Sequence, residues 1–261
     1  MMSFLLSPPN STRLAAAAIV CGCLSGVAHA GTYTDNFNSG INGSMWTIQT
    51  DGSATVAAAN NRVEMTLGNT INGARLVLNT AIFGNFDASV DYTLLNWPAQ
   101  SEAGISLGTG FVDLLASDLP LGLSGYVGGG RLSYSGGEAY SSDLVTSGHQ
   151  VYLSPTSDMS GKLRITKVGG DVGVYDWNGA DWSPIHLYPN AQRDSTINVI
   201  ELALFRVPLP GVKVAFDNFS ITAPATALPA PEPETWAMLV VGIGLVGLRL
   251  RGREKSRRGL A

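Results

Sequence analysis

The chain has 261 residues, with 16 lysines and arginines against 20 aspartates and glutamates, for a formal net charge of −4. It contains 31 glycines but only 2 cysteines, which excludes a disulfide-framed scaffold and a thiolate metal site. Residues 31–223 carry nine basic and seventeen acidic side chains, and the scattered basic ones lack the clustered footprint that nucleic acid requires.

At the N-terminus, Arg13 precedes the apolar run Leu14–Leu24, and Ala28-His29-Ala30 supplies the small residues of a signal-peptidase site. Residues 1–30 therefore read as a signal peptide with a helical core, and the mature chain begins at Gly31. Cys23 offers a lipobox as the rival cleavage site. Cleavage after Ala30 removes both Cys21 and Cys23.

From residue 31 to 223 no long helical period occurs, and short alternating runs are split by turn residues. This reads as an all-β body, an antiparallel sandwich or barrel. Strands are expected at 33–37, 46–50 and 74–78, with 54–58 and 62–67 paired across Asn60-Asn61. Phe86, Ala88, Val90, Tyr92 and Leu94 alternate with polar residues, so this strand has one core face and one wet face. Residues 103–107 and 111–115 read as two further strands. The triple glycine Gly128-Gly129-Gly130 reads as a turn inside 126–134, and 136–160 as loop. Residues 162–168 and 172–177 form a hairpin round Gly169-Gly170, and 197–205 is a nearly continuous apolar strand. The closing strand 212–221 changes phase between Val212, Val214, Phe216 and Phe219, Ile221, which predicts a bulge at Asp217-Asn218.

Three features of the body resemble the concanavalin A-like lectin and glucanase superfamily, which includes laminin G-like domains. Asp35-Asn36-Phe37 echoes Asp217-Asn218-Phe219, as paired terminal strands would. The segment Phe86–Tyr92, with Trp97 and Ala103-Gly104-Ile105, resembles its central strand pair. Gly161–Ile165, with Val174-Tyr175 and Trp182, resembles a later hairpin. The resemblance implies a two-sheet antiparallel jelly-roll sandwich.

The glucanases of that superfamily carry Glu-x-Asp-x-x-Glu on one strand, and no such string occurs here. Glu201 stands alone, in phase with Val199 and Ala203. Gly104-Ile105-Ser106-Leu107-Gly108 matches Gly-x-Ser-x-Gly but lacks the following helix of a nucleophile elbow. The chain therefore reads as a binding module before it reads as an enzyme. Trp177 and Trp182, with Asp176, Asn178 and Asp181, have the composition of a glycan site. Rings stack on sugar faces and the polar groups bond hydroxyls; the alternative is two tryptophans covering the sandwich end. Asp35, Asp217 and Asn218 are the candidate ligands of a structural calcium ion, with Asp/Asn turn chemistry as the alternative. The enzymatic alternative is a polysaccharide hydrolase or lyase with a dispersed site. A third reading is a structural matrix protein without a specific ligand.

Residues 224–234 form a Pro/Ala-rich spacer ending in Pro231-Glu232-Pro233. Residues 235–248 are uncharged and apolar, and 249–261 hold six arginines and lysines. The apolar run is shorter than the roughly 20 residues of a full membrane helix, and the arginines favour the cytoplasmic side. This order resembles the PEP-CTERM sorting tail of Gram-negative bacteria that make exopolysaccharide. The resemblance implies export, a membrane-tethered precursor, and cleavage near Pro231, Glu232 and Pro233 by an exosortase. The expected location is the cell surface or the extracellular matrix, with the exopolysaccharide as glycan partner.

Overall fold

The computed structural model describes residues 30–69, 73–99, 101–113, 125–146, 148–192, 196–206 and 209–224. The expected signal helix, sorting motif and membrane helix lie outside these residues.

Among the described residues every regular element is a strand, joined by turns and short loops. In order these are β1 (Ala30–Asp35), β2 (Trp46–Thr50), β3 (Thr55–Ala59), β4 (Arg62–Thr66), β5 (Ala74–Leu78) and β6 (Ile82–Phe83). Next come β7 (Phe86–Asn96), β8 (Ala103–Asp113), β9 (Gly125–Tyr134), β10 (Gly137–Val145) and β11 (His149–Pro155). The last are β12 (Ser160–Val168), β13 (Asp171–Trp177), β14 (Trp182–Tyr188), β15 (Thr196–Arg206) and β16 (Lys213–Pro224). They form two eight-stranded antiparallel sheets in a jelly-roll sandwich. Sheet I runs β14-β13-β12-β7-β16-β4-β3, with β1 also on β16; sheet II runs β11-β10-β9-β8-β15-β5-β2, with β6 also on β15.

Alternation explains which residues fill the space between the sheets. On β7 the buried set is Phe86, Ala88, Val90, Tyr92 and Leu94, as the sequence predicts. Sheet II answers with Leu76, Ile105, Leu107, Ile200, Leu202 and Leu204. Each such buried aliphatic contributes about 1.5–3 kcal/mol. On β16 the core set switches from Val214 and Phe216 to Phe219 and Ile221. The switch is a register shift between Asp217 and Ser220 against β7, with Asn218 at φ 49°. This is the predicted bulge. The β3–β4 hairpin turns on Asn60 and Asn61 at φ 54° and 60°, the left-handed pair of a type I′ turn.

Four expectations change. Gly128–Gly130 is not a turn but the middle of the continuous strand β9. A Cβ on Gly129 would fall 1.9 Å from Val174 of the opposite sheet, and one on Gly130 would fall 1.7 Å from the Ile105 carbonyl oxygen. The glycines therefore serve close packing rather than reversal. Residues 103–113 form one strand, β8, where two were expected. The supposed loop 136–160 contains β10 and β11. All seven residues of β11 are exposed, so no apolar alternation marks it in the sequence. The strand β14, unforeseen in the sequence, closes the far edge of sheet I.

Two polar devices bind the sheets together. Arg131 of β9 is fully buried and donates to Glu138 Oε2 (2.9 Å), the Asp158 carbonyl (3.1 Å) and the Thr156 carbonyl (3.4 Å). Its guanidinium lies 5.3 Å from the Tyr140 ring centre. Tyr140 accepts from Tyr92 of sheet I at 3.0 Å and donates to Asp158 Oδ2 at 3.0 Å. Along one side, Tyr152 of β11 stacks on His186 of β14 at 3.4 Å between ring centres.

Candidate functional site

The β13–β14 hairpin places the predicted tryptophans on one face. Along β13, Val172 and Val174 point into the core, so Tyr175 and Trp177 stand on the outer face of sheet I. Trp177 and Trp182 are opposite each other in the register and meet edge to face, with ring centres 5.3 Å apart. Both are half-buried. Beside them lies Arg164 of β12, its guanidinium carbon 5.4 Å from the Trp182 ring centre and 5.6 Å from that of Tyr175. Arg164 is gripped two-pronged by Asp87, at 2.8 and 2.5 Å. That carboxylate holds Arg164 above its ordinary pKa. A planar cation fixed in this way offers a ligand both a charge and a stacking surface. The row continues across the sheet through Lys162–Asp91 at 3.3 Å and Asn218 Nδ2 donating to Asp91 at 3.0 Å. The result is an outer face with a ring pair at one end and hydrogen-bonding charges beyond it.

Of the polar residues predicted to accompany the rings, Asn178 and Asp181 bond the hairpin turn, with the Asp181 charge still felt by Arg164, and Asp176 turns inward. Asn178 Oδ1 accepts from the backbone N–H groups of Ala180 and Asp181, and Asp181 Oδ1 accepts from that of Trp182. Both side chains thus close the turn between β13 and β14. Asp176 shares the inward side of β13 with Val174, and burial pushes its carboxyl up, helped by the nearby charge of Asp158. Tyr175 is among the aromatics the sequence offers as a binding clue, whereas Arg164 is a member of the face that composition did not single out. Arg164's signal is strand phase: it sits one residue from core-facing Leu163 and Ile165, as Tyr175 sits one residue from core-facing Val174, so both point outward.

The predicted calcium ligands lie near one another, Asp35 opposite Phe219 in the register, and each carboxylate is engaged by the chain's own groups. Asp35 and Asn218 line a shared depression of about 740 Å³, together with Asn36, Asn42 and Met45. Both Asp35 oxygens are engaged there: Oδ1 accepts from the Phe37 N–H (2.8 Å) and Oδ2 from Trp46 Nε1 (2.9 Å). Asp217 pairs with Asp91 in the register of β16 and β7, next to core-facing Phe216, so it stands on the outer face. Its Oδ1 accepts from the Asn218 N–H at 2.7 Å. These are Asx-type contacts to the chain's own backbone. Among the described residues no group of three His, Cys, Asp or Glu side chains converges on one point.

Sheet II has its own outer face. The register aligns Glu201, Gly108, Gly128 and Asp143 in one row across β15, β8, β9 and β10. Between the carboxylates the Tyr126 ring lies flat; a Cβ on Gly108 or Gly128 would meet its hydroxyl at 2.2 or 2.3 Å. Tyr126 donates to Ser106 Oγ at 2.9 Å, which places the Gly-x-Ser-x-Gly serine in mid-strand. Burial, then the Glu201 charge, pushes the Tyr126 phenol up. Burial also raises the Glu201 carboxyl, against the opposing pull of Arg75 at 3.4 Å. Glu201 and Asp143 stand three strand spacings apart, about 14 Å between Cα atoms.

No protein-family model matches the chain, and neither does any curated protein sequence. Solved structures of the same fold exist at low identity. The CBM2 module of the evolved Dit protein of Lactobacillus casei BL23 phage J-1 superposes with a TM-score of 0.56 at 12% identity, covering 77% of this chain and 98% of that one. LamAcat from Zobellia galactanivorans gives 0.53 at 9%, covering 73% and 96%. The glycoside hydrolase family 43 protein BlXynB from Bacillus licheniformis gives 0.56 at 13%, covering 73% of this chain and 39% of that one. At these identities the likeness establishes the fold.

Proposed function

We propose that this chain is an exported cell-surface or matrix protein whose β-sandwich binds glycan without cleaving it. One observation carries the reading: the edge-to-face pair Trp177–Trp182, with Arg164 locked beside it on the outer face of sheet I. Ring faces suit the C–H surface of a sugar, and Arg164, Asp87, Lys162 and Asp91 supply donors and acceptors for hydroxyl or acidic groups. A sandwich of the same fold is a carbohydrate-binding module in the phage protein, which supports the reading. The PEP-CTERM-like tail adds the address: signal peptidase at Ala30, an exosortase at Pro231-Glu232-Pro233, and the exopolysaccharide outside as the glycan met first.

The test is a glycan array probed with the chain, with and without calcium. Saturable binding should weaken at least about tenfold, roughly 1.4 kcal/mol, in Trp182→Ala and Arg164→Ala, while melting curves show that each variant still folds. Binding that ignores both substitutions, or no saturable binding, overturns the reading. Calcium dependence would direct attention to the depression at Asp35 and Asn218.

A second reading, a polysaccharide hydrolase, is favoured by Glu201 and Tyr126 on the outer face of sheet II and by the glycosidases among the structural neighbours. It requires two carboxyl groups within about 5–10 Å. New reducing ends released from native exopolysaccharide, and abolished by Glu201→Gln, would replace the first reading with this one.

A further inference from the structure

Among the described residues no strand pairs with the outer side of β11, which ends sheet II. Ten large apolar side chains are exposed among the described residues, and four lie together here: Val145 (39%), Val151 (42%), Tyr152 (39%) and Leu153 (43%). Val145 belongs to β10 and the others to β11, whose seven residues are all exposed.

Edge strands normally carry a device against pairing: shortness, a charge, a proline or a bulge. The other path-end strands each have one. β2 and β3 are five residues long. β14 contains Pro184, and its pairing with β13 is broken by a register shift between Val174 and Tyr175. β11 has none of these within its length. Its register with β10 runs unbroken from Val145↔His149 to Ala139↔Pro155, it holds no Lys, Arg, Asp or Glu, and its one proline is its last residue. An extended edge of this kind presents a row of backbone N–H and C=O groups that another strand satisfies.

We propose that β11 is a homodimer interface, in which two copies pair edge to edge and antiparallel about a two-fold axis at Tyr152. The strand is complementary to itself in that register. Val151 faces Leu153 of the second copy, Gln150 faces Ser154, and Tyr152 faces Tyr152. Apolar meets apolar on the outer side, polar meets polar on the other, and no like charges are opposed. An isologous contact of this type is closed, so it stops at two copies. Sheet II of one copy and sheet II of the other become one continuous sheet. Seven residues per side make a small interface, so the expected dissociation constant is about micromolar.

Light scattering on the full-length chain in mild detergent, at roughly tenfold above that concentration, measures the mass. The chain should be dimeric, and Val151→Lys should be monomeric with unchanged melting, because Val151 is already exposed. Since Val151→Lys leaves the C-terminal segment intact, a dimer held by that segment would persist and overturn the proposal. Register is tested in a background with Cys21 and Cys23 replaced by Ser. Tyr152→Cys should form a disulfide-linked dimer under mild oxidation, while Val168→Cys, exposed elsewhere, should not. If loss of the His186 stack unfolds Tyr152→Cys, a mixture of Gln150→Cys and Ser154→Cys chains should cross-link instead. A monomeric chain, or cross-linking in neither arrangement, overturns the dimer. So does a monomer whose β11 amides resist hydrogen exchange, which would put a segment of the chain's own on this edge.

Discussion

Glu64, on the outer face of sheet I, is 5% exposed and receives Lys213 Nζ at 2.5 Å, Arg62 Nη2 at 2.9 Å and Asn60 Nδ2 at 3.1 Å. Burial alone would raise its carboxyl, but those donors win and bring it down to about 2 from 4.5. The folded state therefore gains stability from the ionised group above pH 4.5, and that gain disappears as the pH falls through 2. Full conversion of the shift gives about 3 kcal/mol; the solvent-facing partners Arg62 and Lys213 screen it to about 1–2 kcal/mol. Urea unfolding of Glu64→Gln should show that deficit at pH 7, and the deficit should vanish near pH 2. Arg131 is a stiffer case. Arg131→Met leaves Glu138 and the Thr156 and Asp158 carbonyls without their donor, and should cost about 3–5 kcal/mol in the same assay. Neither cluster was legible beforehand: the hairpin contacts of Asn60 and Arg62 to Glu64 are completed by Lys213 of β16, and Arg131 lies in the glycine-built strand β9, whose phase the sequence hides. The tryptophan pair was legible, since one short hairpin brings Trp177 and Trp182 together. Asp176 shows the limit of composition: alternation with Val172 and Val174 turns it inward, although it adjoins Trp177.

At the scale of strands, hydrophobic phase carried most of the information. β7, the β12–β13 hairpin and the bulge in β16 follow from apolar spacing alone. The failures were strands whose side chains say little: β9, built on glycine, and β11, with no buried face. Glycine reads as a turn when only its freedom is considered and as a strand when its lack of volume matters. The two roles separate experimentally. Gly130→Ala forces a methyl against the β8 backbone and should cost about 1–3 kcal/mol or more. Gly148→Ala meets nothing within 4 Å and should leave the unfolding midpoint unchanged. Equal effects at both positions would remove the packing explanation of the triple glycine.

For the whole molecule, closure depends on β1, whose register on β16 runs from Ala30↔Pro224 to Asp35↔Phe219. Asp35 also receives the indole N–H of Trp46, which packs edge to face on Phe219 at 4.8 Å. Deleting residues 30–36 removes that strand and the anchor of a core tryptophan. The midpoint of thermal unfolding should fall by about 10 °C, corresponding to roughly 3–4 kcal/mol for a body of this size. Hydrogen exchange at Ile221 and Ala223 should lose its protection at the same time. The paired ends of the echo Asp35-Asn36-Phe37 and Asp217-Asn218-Phe219 made this closure readable; the exposed strand β11 at the end of the second sheet was not.

The position of β16 also governs how the body resists force. Its neighbours are β7 on one side and β4 and β1 on the other. A pull at Pro224 runs lengthwise along β16, so its rungs to β7, from Lys213 to Thr222, share the load in shear. A pull applied between Ala30 and Pro224 instead peels β1 from β16 one rung at a time. The body is therefore strong as a load hung from its C-terminal end alone and weak when stretched between its two ends.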